Sequence, residues 1–225
     1  MVFGLSNEMN FFPDPRLGEP DGLFAIGGDL SPERLLEAYS IGAFPWYSFR
    51  SKGEDGPWWY CPMRRFVIFP DEIHVSHSMR TMLNKGECDV TFNHAFEDVI
   101  RGCAEHRIDE PGAWLGEDMI EAYSKLYAMG FAASVEIWKD GALVGGLYGV
   151  TIGNVFFGES MFSRIPGASK LALIHLARMM SKRGGLMIDC QFETPHLKSM
   201  GGRIISYEEY LEIIRRPQWI PPRGE

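Results

Sequence analysis

The sequence predicts an α/β (α+β) fold in which a small N-terminal domain precedes a larger domain with a mixed, largely antiparallel sheet. Three observations support this prediction. Residues 1–64 are rich in glycine, proline and aromatic residues, strand and helix patterns alternate after residue 65, and hydrophobic residues make up 45% of the 225-residue chain. We therefore expect two domains, at residues 1–64 and 65–225, with a sizeable buried core.

One helix is predicted in the N-terminal domain. Ser31 is placed as its N-cap, Pro32 occupies the first helical position, and Gly42 ends it. Trp46 and the pair Trp58-Trp59 are predicted to lie in irregular chain, as is Trp114 further on. Tryptophans on loops can stack nucleobases, although most are simply packed.

The C-terminal domain begins with strand patterns at residues 65–69 and 88–92. Between residues 117 and 129 the apolar residues fall at helical spacing, and Gly130 closes the pattern. A core-facing helix is therefore expected there.

A three-stranded antiparallel unit is predicted next. Residues 133–139 and 142–150 are joined by Asp140-Gly141, a strong hairpin signal, and residues 155–160 form the third strand. A buried helix at residues 169–182 and a strand at residues 186–191 follow. This order is found in acetyltransferase-like folds, so we expect that architecture for the C-terminal domain.

The last predicted helix covers residues 207–215. Ser206 and Glu209 have the spacing of a capping box, and Pro217 prevents the helix from continuing.

The overall charge disfavours a general nucleic-acid binder. The net charge is −8 and the pI is about 5.3, so any contact with RNA must be local. Candidate basic spots are Arg64-Arg65, Arg80 with Lys85, and Lys182-Arg183, although such pairs are more often simply a solvated surface.

The cysteines and the apolar runs indicate a cytoplasmic protein. Cys61, Cys88, Cys103 and Cys190 show no metal-ligand or disulfide spacing, so we expect reduced thiols and no metal. Because no segment approaches the ~20 apolar residues that span a bilayer, we expect neither export nor membrane association.

Polar residues on the predicted strand at 186–191 are the first candidates for chemistry. Side chains alternate along a strand, so Asp189 and Gln191 should share one face, with Ile188 and Cys190 on the core side. Two polar groups side by side fit an active site, and they equally fit a solvent-exposed strand end.

The strand at 155–160 and the segment after it offer two further candidates. Glu159 and Met161 share a face, which suits either a pocket wall or an edge strand. Residues 164–169 precede a helix and resemble the pyrophosphate loop of acetyl-CoA users, but capping by Ser169 explains them as well.

Several stretches taken together resemble one family. They are Glu19-Pro20-Asp21-Gly22-Leu23, Gly27-Gly28-Asp29-Leu30-Ser31-Pro32, Phe44-Pro45-Trp46, Trp58-Trp59, residues 143–150, residues 157–163, Ala168-Ser169-Lys170 and Ile188-Asp189-Cys190-Gln191. In this order, and nearly end to end, they are similar to the leucyl/phenylalanyl-tRNA–protein transferases of bacteria.

The resemblance implies an aminoacyltransferase that needs no cofactor. Such an enzyme transfers Leu, Phe and, less readily, Met from tRNA to proteins that begin with Arg or Lys, marking them for N-end-rule degradation. The resemblance also implies roles for particular residues: Asp189 and Gln191 in the chemistry, Glu159, Ser160 and Met161 facing the substrate, Trp46 and Trp114 holding the terminal adenosine, and Leu147, Phe156 and Ile188 lining an apolar pocket.

Two departures from the family pattern bear on substrate binding. Leu147 stands where some members have Met, a swap that conserves volume. Residues 77–85, basic in relatives, hold only Arg80 and Lys85, on which the tRNA contact expected there would depend.

The expected mechanism requires little more than positioning. We expect Asp189 to accept a hydrogen bond from the Gln191 side-chain amide, so that the Gln191 carbonyl oxygen can accept one from the attacking amine. Two other functions remain open, a CoA-dependent N-acyltransferase and a non-catalytic RNA-binding module.

Overall fold

The computed structural model describes residues 1–8, 11–46, 56–107 and 116–216. Among these residues the α-helices are α1 (Pro32–Ser40), α2 (His77–Lys85), α3 (Phe96–Arg107), α4 (Glu117–Ala128), α5 (Ala168–Lys182), α6 (Pro195–Ser199) and α7 (Tyr207–Ile214). The strands are β1 (Phe3–Leu5), β2 (Leu23–Gly27), β3 (Phe44–Pro45), β4 (Trp58–Tyr60), β5 (Arg64–Ile68), β6 (Asp89–Phe92), β7 (Ala132–Lys139), β8 (Ala142–Ile152), β9 (Val155–Ser163), β10 (Met187–Asp189) and β11 (Arg203–Ser206). None of the helices in this part of the chain is long and apolar enough to cross a membrane.

A seven-stranded mixed sheet forms the centre of the molecule. Its order is β11-β5-β10-β9-β8-β7-β6, and only the β9–β10 pairing is parallel. The predicted α/β class and largely antiparallel sheet are therefore confirmed. The predicted order of three antiparallel strands, a buried helix and a further strand is present as β7, β8, β9, α5 and β10.

The central sheet is covered on both faces. On one face the buried helix α5 packs with Leu147, Phe156 and Ile188 in one hydrophobic cluster. On the other face α3 and α4 pack with Tyr148 and Phe157 in a second cluster, which also takes in the buried residues of the N-terminal sheet. The middle of the sheet, where β9 meets β10, thus lies between two packed layers.

The N-terminal residues form a second sheet that the sequence did not predict. Its order is β1-β2-β4-β3, and Trp59 lies in β4 with its indole N–H donating to the Gly27 carbonyl at 2.9 Å. The prediction of irregular chain at Trp58-Trp59 is therefore wrong. β3 and β4 contain only two and three residues, too few to display the alternation by which a strand is identified.

Most predicted elements of the C-terminal region are present. Asp140 and Gly141 have φ of 51° and 75°, the left-handed values that the predicted two-residue hairpin turn requires. Ser206 Oγ accepts the Glu209 backbone N–H at 3.2 Å and caps α7 as predicted. The division into domains at residues 64 and 65 stays a prediction.

Two predictions near the site were wrong in detail. β10 ends at Asp189, and Gln191 follows it with φ of 57°, so Asp189 and Gln191 do not share a strand face. The helix α5 has Gly167 as its N-cap, not Ser169. The first difference places a backbone turn where the sequence pattern suggested a continuous strand, and the second starts the helix one residue earlier than predicted.

Candidate active site

An apolar cavity opens where β9 and β10 separate. The parallel pairing of these strands ends at Phe157 and Asp189. β9 continues to Ser163, whereas the residues after β10 turn away from it. The resulting cavity has a volume of about 340 Å³, within the usual range of small-molecule sites. It is lined by Phe44, Pro45, Trp46, Leu147, Phe156, Gly158, Glu159, Ser160, Met161, Leu173, Ile188, Cys190, Gln191, Phe192, Thr194 and Leu197.

The cavity brings together most of the residues predicted for substrate binding. Leu147 lies opposite Met161 in the β8–β9 ladder, and Ile188 lies beside Phe156 in the β9–β10 ladder. Leu147, Phe156 and Ile188 are each at most 3% exposed, so their surfaces form a fixed apolar wall. Ser160 is buried and contributes to the same lining. An apolar side chain of a substrate would lose contact with water here.

A β-bulge directs Glu159 into this site. Tyr148 pairs with Ser160 and Gly149 pairs with Gly158, so Glu159 is the extra residue of β9. Beyond the bulge the in–out alternation of the β9 side chains is shifted by one residue, so that Met161 lies on the side that faces the cavity. The sequence prediction that Glu159 and Met161 line a pocket agrees with this arrangement, although strict alternation is not its cause.

Two tyrosines hold the Glu159 carboxylate. The hydroxyl of Tyr39, on α1, donates to Oε1 at 2.7 Å, and the hydroxyl of Tyr123, on α4, donates to Oε2 at 2.9 Å. The two hydroxyls are themselves 2.7 Å apart. Burial raises the pKa of Glu159 to about 7, with the two tyrosine hydrogen bonds opposing the rise. The group can therefore gain or lose a proton near neutral pH.

Gln191 presents an amide at the cavity from a left-handed turn. Its backbone N–H donates to Asp189 Oδ1 at 3.0 Å, and its backbone carbonyl accepts from Phe66 N–H at 3.2 Å. Its side-chain Nε2 is buried and has no hydrogen-bond partner among the described residues. Because a buried amide donor without a partner is unfavourable, this nitrogen is available to a bound ligand.

Asp189 lies behind the cavity and does not line it. Its side chain is fully buried, and it accepts from Arg65 Nε at 2.8 Å and Arg65 Nη2 at 2.6 Å. Tyr210 donates a further hydrogen bond to Oδ2 at 2.9 Å. The expectation that Asp189 accepts from the Gln191 side-chain amide is therefore wrong, because the bond comes from the Gln191 backbone.

Trp46 is partly packed and partly exposed to the cavity. Its ring lies edge-on to Tyr60, with centroids 5.3 Å apart, and tilted against Phe192 at 5.2 Å. The remaining surface lines the cavity, and the contact of this tryptophan with a nucleobase stays a prediction. Trp114, predicted to act with it, lies outside the described residues.

Arg80 and Lys85 lie on α2 and do not line the cavity. Arg80 borders a separate groove with His175 and Arg178 of α5. Lys85 is exposed, 3.8 Å from Glu87. Their predicted contact with tRNA would therefore be made outside the reaction site.

The start of α5 is poorly suited to a pyrophosphate. Ser163 Oγ accepts the Ser169 backbone N–H at 2.8 Å, and the Ile165 carbonyl accepts that of Ala168 at 3.3 Å. A side chain at Gly167 would meet the sulfur atoms of Met82 and Met79 at 3.3 and 3.4 Å, so α2 covers this end. The resemblance of residues 164–169 to an acetyl-CoA loop therefore does not extend to free N–H groups.

Residues 1–8, 11–46, 56–107 and 116–216 contain no group of three or more His, Cys, Asp or Glu side chains placed to hold a metal ion.

Sequence reasoning missed the part that four residues play in the site. It predicts Arg65 as a candidate basic spot at the start of a strand and Tyr123 as part of an apolar helical stripe, and it gives no signal for Tyr39 and Tyr210. Each is fully buried. The pairing of Arg65 with Asp189 joins residues 124 positions apart, a separation that no local pattern reveals.

Comparison with known proteins gives consistent matches along the chain. The family profile described as "Leucyl/phenylalanyl-tRNA protein transferase" matches residues 67–215, and the profile of that family's N-terminal domain matches residues 28–63. A leucyl/phenylalanyl-tRNA–protein transferase from Nitrosospira multiformis is 49% identical, covering 100% of this chain and 96% of that protein. One from Syntrophobacter fumaroxidans is 50% identical, covering 95% of this chain and 89% of that protein.

Among solved structures, a GCN5-related N-acetyltransferase from Kribbella flavida is similar at a TM-score of 0.38 and 12% identity, covering 62% of this chain and 53% of that one.

Proposed function

Since the chain belongs to the leucyl/phenylalanyl-tRNA–protein transferase family and is therefore an aminoacyltransferase that uses aminoacyl-tRNA, we propose that it transfers Leu, Phe and, less readily, Met. The acceptors in this proposal are proteins whose N-terminal residue is Arg or Lys, which the transfer marks for N-end-rule degradation. Charged tRNA is cytoplasmic, so we place the reaction in the cytoplasm.

The observation that carries the proposal is an apolar cavity with an unpartnered amide at its border. Leu147, Phe156 and Ile188 form a wall suited to an unbranched or γ-branched apolar side chain or an aromatic one. Gln191 Nε2 lies beside this wall without a partner among the described residues. A side chain bound in the cavity would bring its own ester group close to that amide.

The chemistry of this transfer needs no strong base. The α-amino group of the acceptor has a pKa of ~7.7–8.0, so an appreciable fraction is neutral near pH 7. Its nitrogen forms a bond to the ester carbonyl carbon, the bond from that carbon to the tRNA ribose oxygen breaks, and the amine proton leaves with that oxygen or to water. Holding amine and ester in line can lower the barrier by about 7–11 kcal/mol.

In this proposal Gln191 contributes both ends of its amide. Its Nε2 donates to the ester carbonyl oxygen, on which negative charge develops, and its Oε1 accepts from the attacking amine. Asp189 keeps the residue in place through the backbone bond at 3.0 Å. Glu159, which also lines the cavity, offers a carboxylate to an amino group of either substrate.

The terminal adenosine of the tRNA is placed against Trp46. The exposed part of this indole lies at the cavity, and its other contacts, with Tyr60 and Phe192, fix the ring plane. A fixed aromatic ring is a suitable platform for a nucleobase. Trp114 is proposed as its counterpart.

The body of the tRNA is placed on α2 and α5. Residues 77–85 contain Arg80 and Lys85, residues 168–183 contain Lys170, Arg178, Lys182 and Arg183, and neither segment contains Asp or Glu. The two helices are in contact, and Arg80 and Arg178 border one groove. In a chain of net charge −8, this local excess of cations favours a polyanion at this surface.

The test is transfer of labelled Leu from Leu-tRNA to a peptide that begins with Arg. We expect labelled peptide without CoA or ATP and in the presence of EDTA, and none with an otherwise identical peptide that begins with Asp. A requirement for acetyl-CoA, loss of activity in EDTA, or equal labelling of both peptides would contradict the proposal.

A further inference from the structure

The side chain of Asp189 uses all of its hydrogen-bonding capacity inside the protein. Two carboxylate oxygens offer about four acceptor sites, and four donors occupy them. Oδ1 accepts from Arg65 Nε and the Gln191 backbone N–H, and Oδ2 accepts from Arg65 Nη2 and Tyr210 Oη. No acceptor site remains for the substrate amine or for its proton.

Two aromatic rings and the Asp189 carboxylate hold the Arg65 guanidinium in place. Its guanidinium lies between two rings, 5.0 Å from the Phe44 centroid and 4.8 Å from that of Tyr210. Burial alone would lower the pKa of Arg65, but Asp189 raises it above the ordinary value, so the cation persists. Burial raises the pKa of Tyr210, which therefore stays a donor.

The residue that benefits from this arrangement is Gln191. A left-handed conformation costs a non-glycine residue roughly 1–2 kcal/mol, so its φ of 57° must be imposed by neighbours. Asp189 accepts the Gln191 N–H, and Phe66, next to Arg65 on β5, donates to the Gln191 carbonyl. Both backbone groups of the turn are thereby fixed, and the side chain is directed at the cavity.

We propose that Arg65 and Tyr210 are positioning residues for the transfer reaction, because they fix the Asp189 carboxylate that holds Gln191 in its left-handed turn. In this proposal Arg65 neutralises the charge of Asp189, and the Asp189 carboxylate holds Gln191 in place and does not accept a proton. The inference rests on the proposed function, in which Gln191 contacts the reacting groups.

A double-mutant cycle tests whether Tyr210 acts through Gln191. Tyr210→Phe removes one hydrogen bond to Asp189 and should lower the single-turnover rate at saturating substrates by roughly 10–100-fold, the effect of misplacing a reacting group. In the Gln191→Ala background the same change should alter the remaining rate by less than about twofold. A wild-type rate for Tyr210→Phe would overturn the inference. So would a double variant in which the fold-losses of the two single variants multiply, because the two residues would then act independently.

Tyr207→Phe is the matched control. Tyr207 lies on the same helix and stacks on Tyr210, but its hydroxyl donates to the Ile41 carbonyl at 2.8 Å and not to Asp189. Both variants remove one hydroxyl from α7. We expect a rate near that of the wild type for Tyr207→Phe, and an equal loss in both would assign the effect to general packing.

The pH profile separates support from proton transfer. If Asp189 positions Gln191, Asp189→Asn lowers the rate but leaves the shape of the pH–rate profile unchanged. If Asp189 accepts the proton, the acidic limb of the profile is lost in this variant and the inference is wrong.

Crystal structures of the tyrosine variants give a readout independent of activity. We expect Gln191 to leave the left-handed region in Tyr210→Phe and to keep it in Tyr207→Phe. An unmoved Gln191 in Tyr210→Phe would contradict the inference even if the wild type transferred normally. Absence of transfer by the wild type would instead contradict the proposed function, and these structures would still decide the role of Tyr210.

Discussion

Asp189 and Gln191 are two residues apart but have opposite surroundings. Asp189 is fully buried behind the cavity with four donors around it, whereas Gln191 lines the cavity and its Nε2 has no partner in the part of the chain that the structure describes. Sequence alternation suggested a pair acting side by side. The structure instead shows a division in which Asp189 fixes the backbone of Gln191 and Gln191 lines the cavity.

Glu159 should make the stability of the protein depend on pH. Burial raises the pKa of Glu159 in the folded state to about 7. Tyr39, Tyr123, Asp189 and Arg65 are the other groups that act on this carboxylate. The folded state therefore holds the Glu159 proton more tightly than the unfolded state, and the stability gained at low pH is lost as pH rises through about 7.

We accordingly expect Glu159→Gln to gain in melting temperature, relative to the wild type, as the pH is raised from about 5 to about 8. The measurement is thermal unfolding of both proteins across this range. A difference in melting temperature that stays constant with pH would show that ionisation of Glu159 carries no folding cost.

Trp46 should contribute to the binding of charged tRNA. We expect Trp46→Ala to weaken it by about 1–3 kcal/mol, the usual worth of a base–aromatic stack. Because Trp46 also packs on Tyr60 and Phe192, the variant must first be shown to melt close to the wild-type temperature. Trp46→Phe, which keeps an aromatic face, should lose less, and equal kinetics for all three proteins would assign Trp46 to packing alone.

At the scale of elements, the bulge in β9 depends on a glycine opposite it. A Cβ at Gly149 would lie 2.1 Å from the Phe157 carbonyl oxygen and 2.7 Å from the ring of Phe156, which forms part of the cavity wall. We expect Gly149→Ala to destabilise the protein by about 1–3 kcal/mol, as overpacking usually does, and to reduce transfer.

Gly4→Ala is the control for this change, because no atom of the described residues lies within 4 Å of the added Cβ there. Chemical denaturation of the two variants measures both effects. Equal stability of Gly149→Ala and Gly4→Ala would mean that the bulge can relax. It would contradict the claim that a fixed bulge directs Glu159 into the cavity.

The helices α2 and α5 should supply the salt-dependent part of tRNA binding. We expect the combined substitutions Arg80→Gln and Arg178→Gln to weaken tRNA binding and to reduce the slope of log affinity against log salt by about 2. Lys125→Gln, on the exposed surface of α4, is the matched control and should leave the slope unchanged. An unchanged slope in the double variant would place the tRNA elsewhere.

Elements with strong local signals could be predicted from the sequence, and those fixed by distant partners could not. The helix α4 has a clear apolar stripe, and the β7–β8 hairpin has Asp140-Gly141. The left-handed turn at Gln191 has no such signal, because it is stabilised by Asp189 and by Phe66 of a strand far away in sequence. The burial of Arg65 was missed for the same reason.

At the scale of the whole molecule, both sheets contribute to the candidate site. Phe44 lies in β3 of the N-terminal sheet, Trp46 comes directly after β3, and both line the cavity. The Tyr39 hydroxyl, on α1, donates to Glu159 Oε1 at 2.7 Å. Buried residues of the N-terminal sheet and of the C-terminal elements also form one hydrophobic cluster. We therefore expect that the region corresponding to residues 65–225 alone would be unable to carry out the transfer.

The central claim is that the cavity between β9 and β10 holds the side chain of the amino acid being transferred. Its most direct test compares kcat/KM for Leu and for Ala carried on the same tRNA, with one acceptor peptide that begins with Arg. Leu has three more carbons to bury, at ~0.8 kcal/mol each, so the account predicts a preference for Leu of roughly 50-fold or more. Equal transfer of Ala and Leu would contradict it.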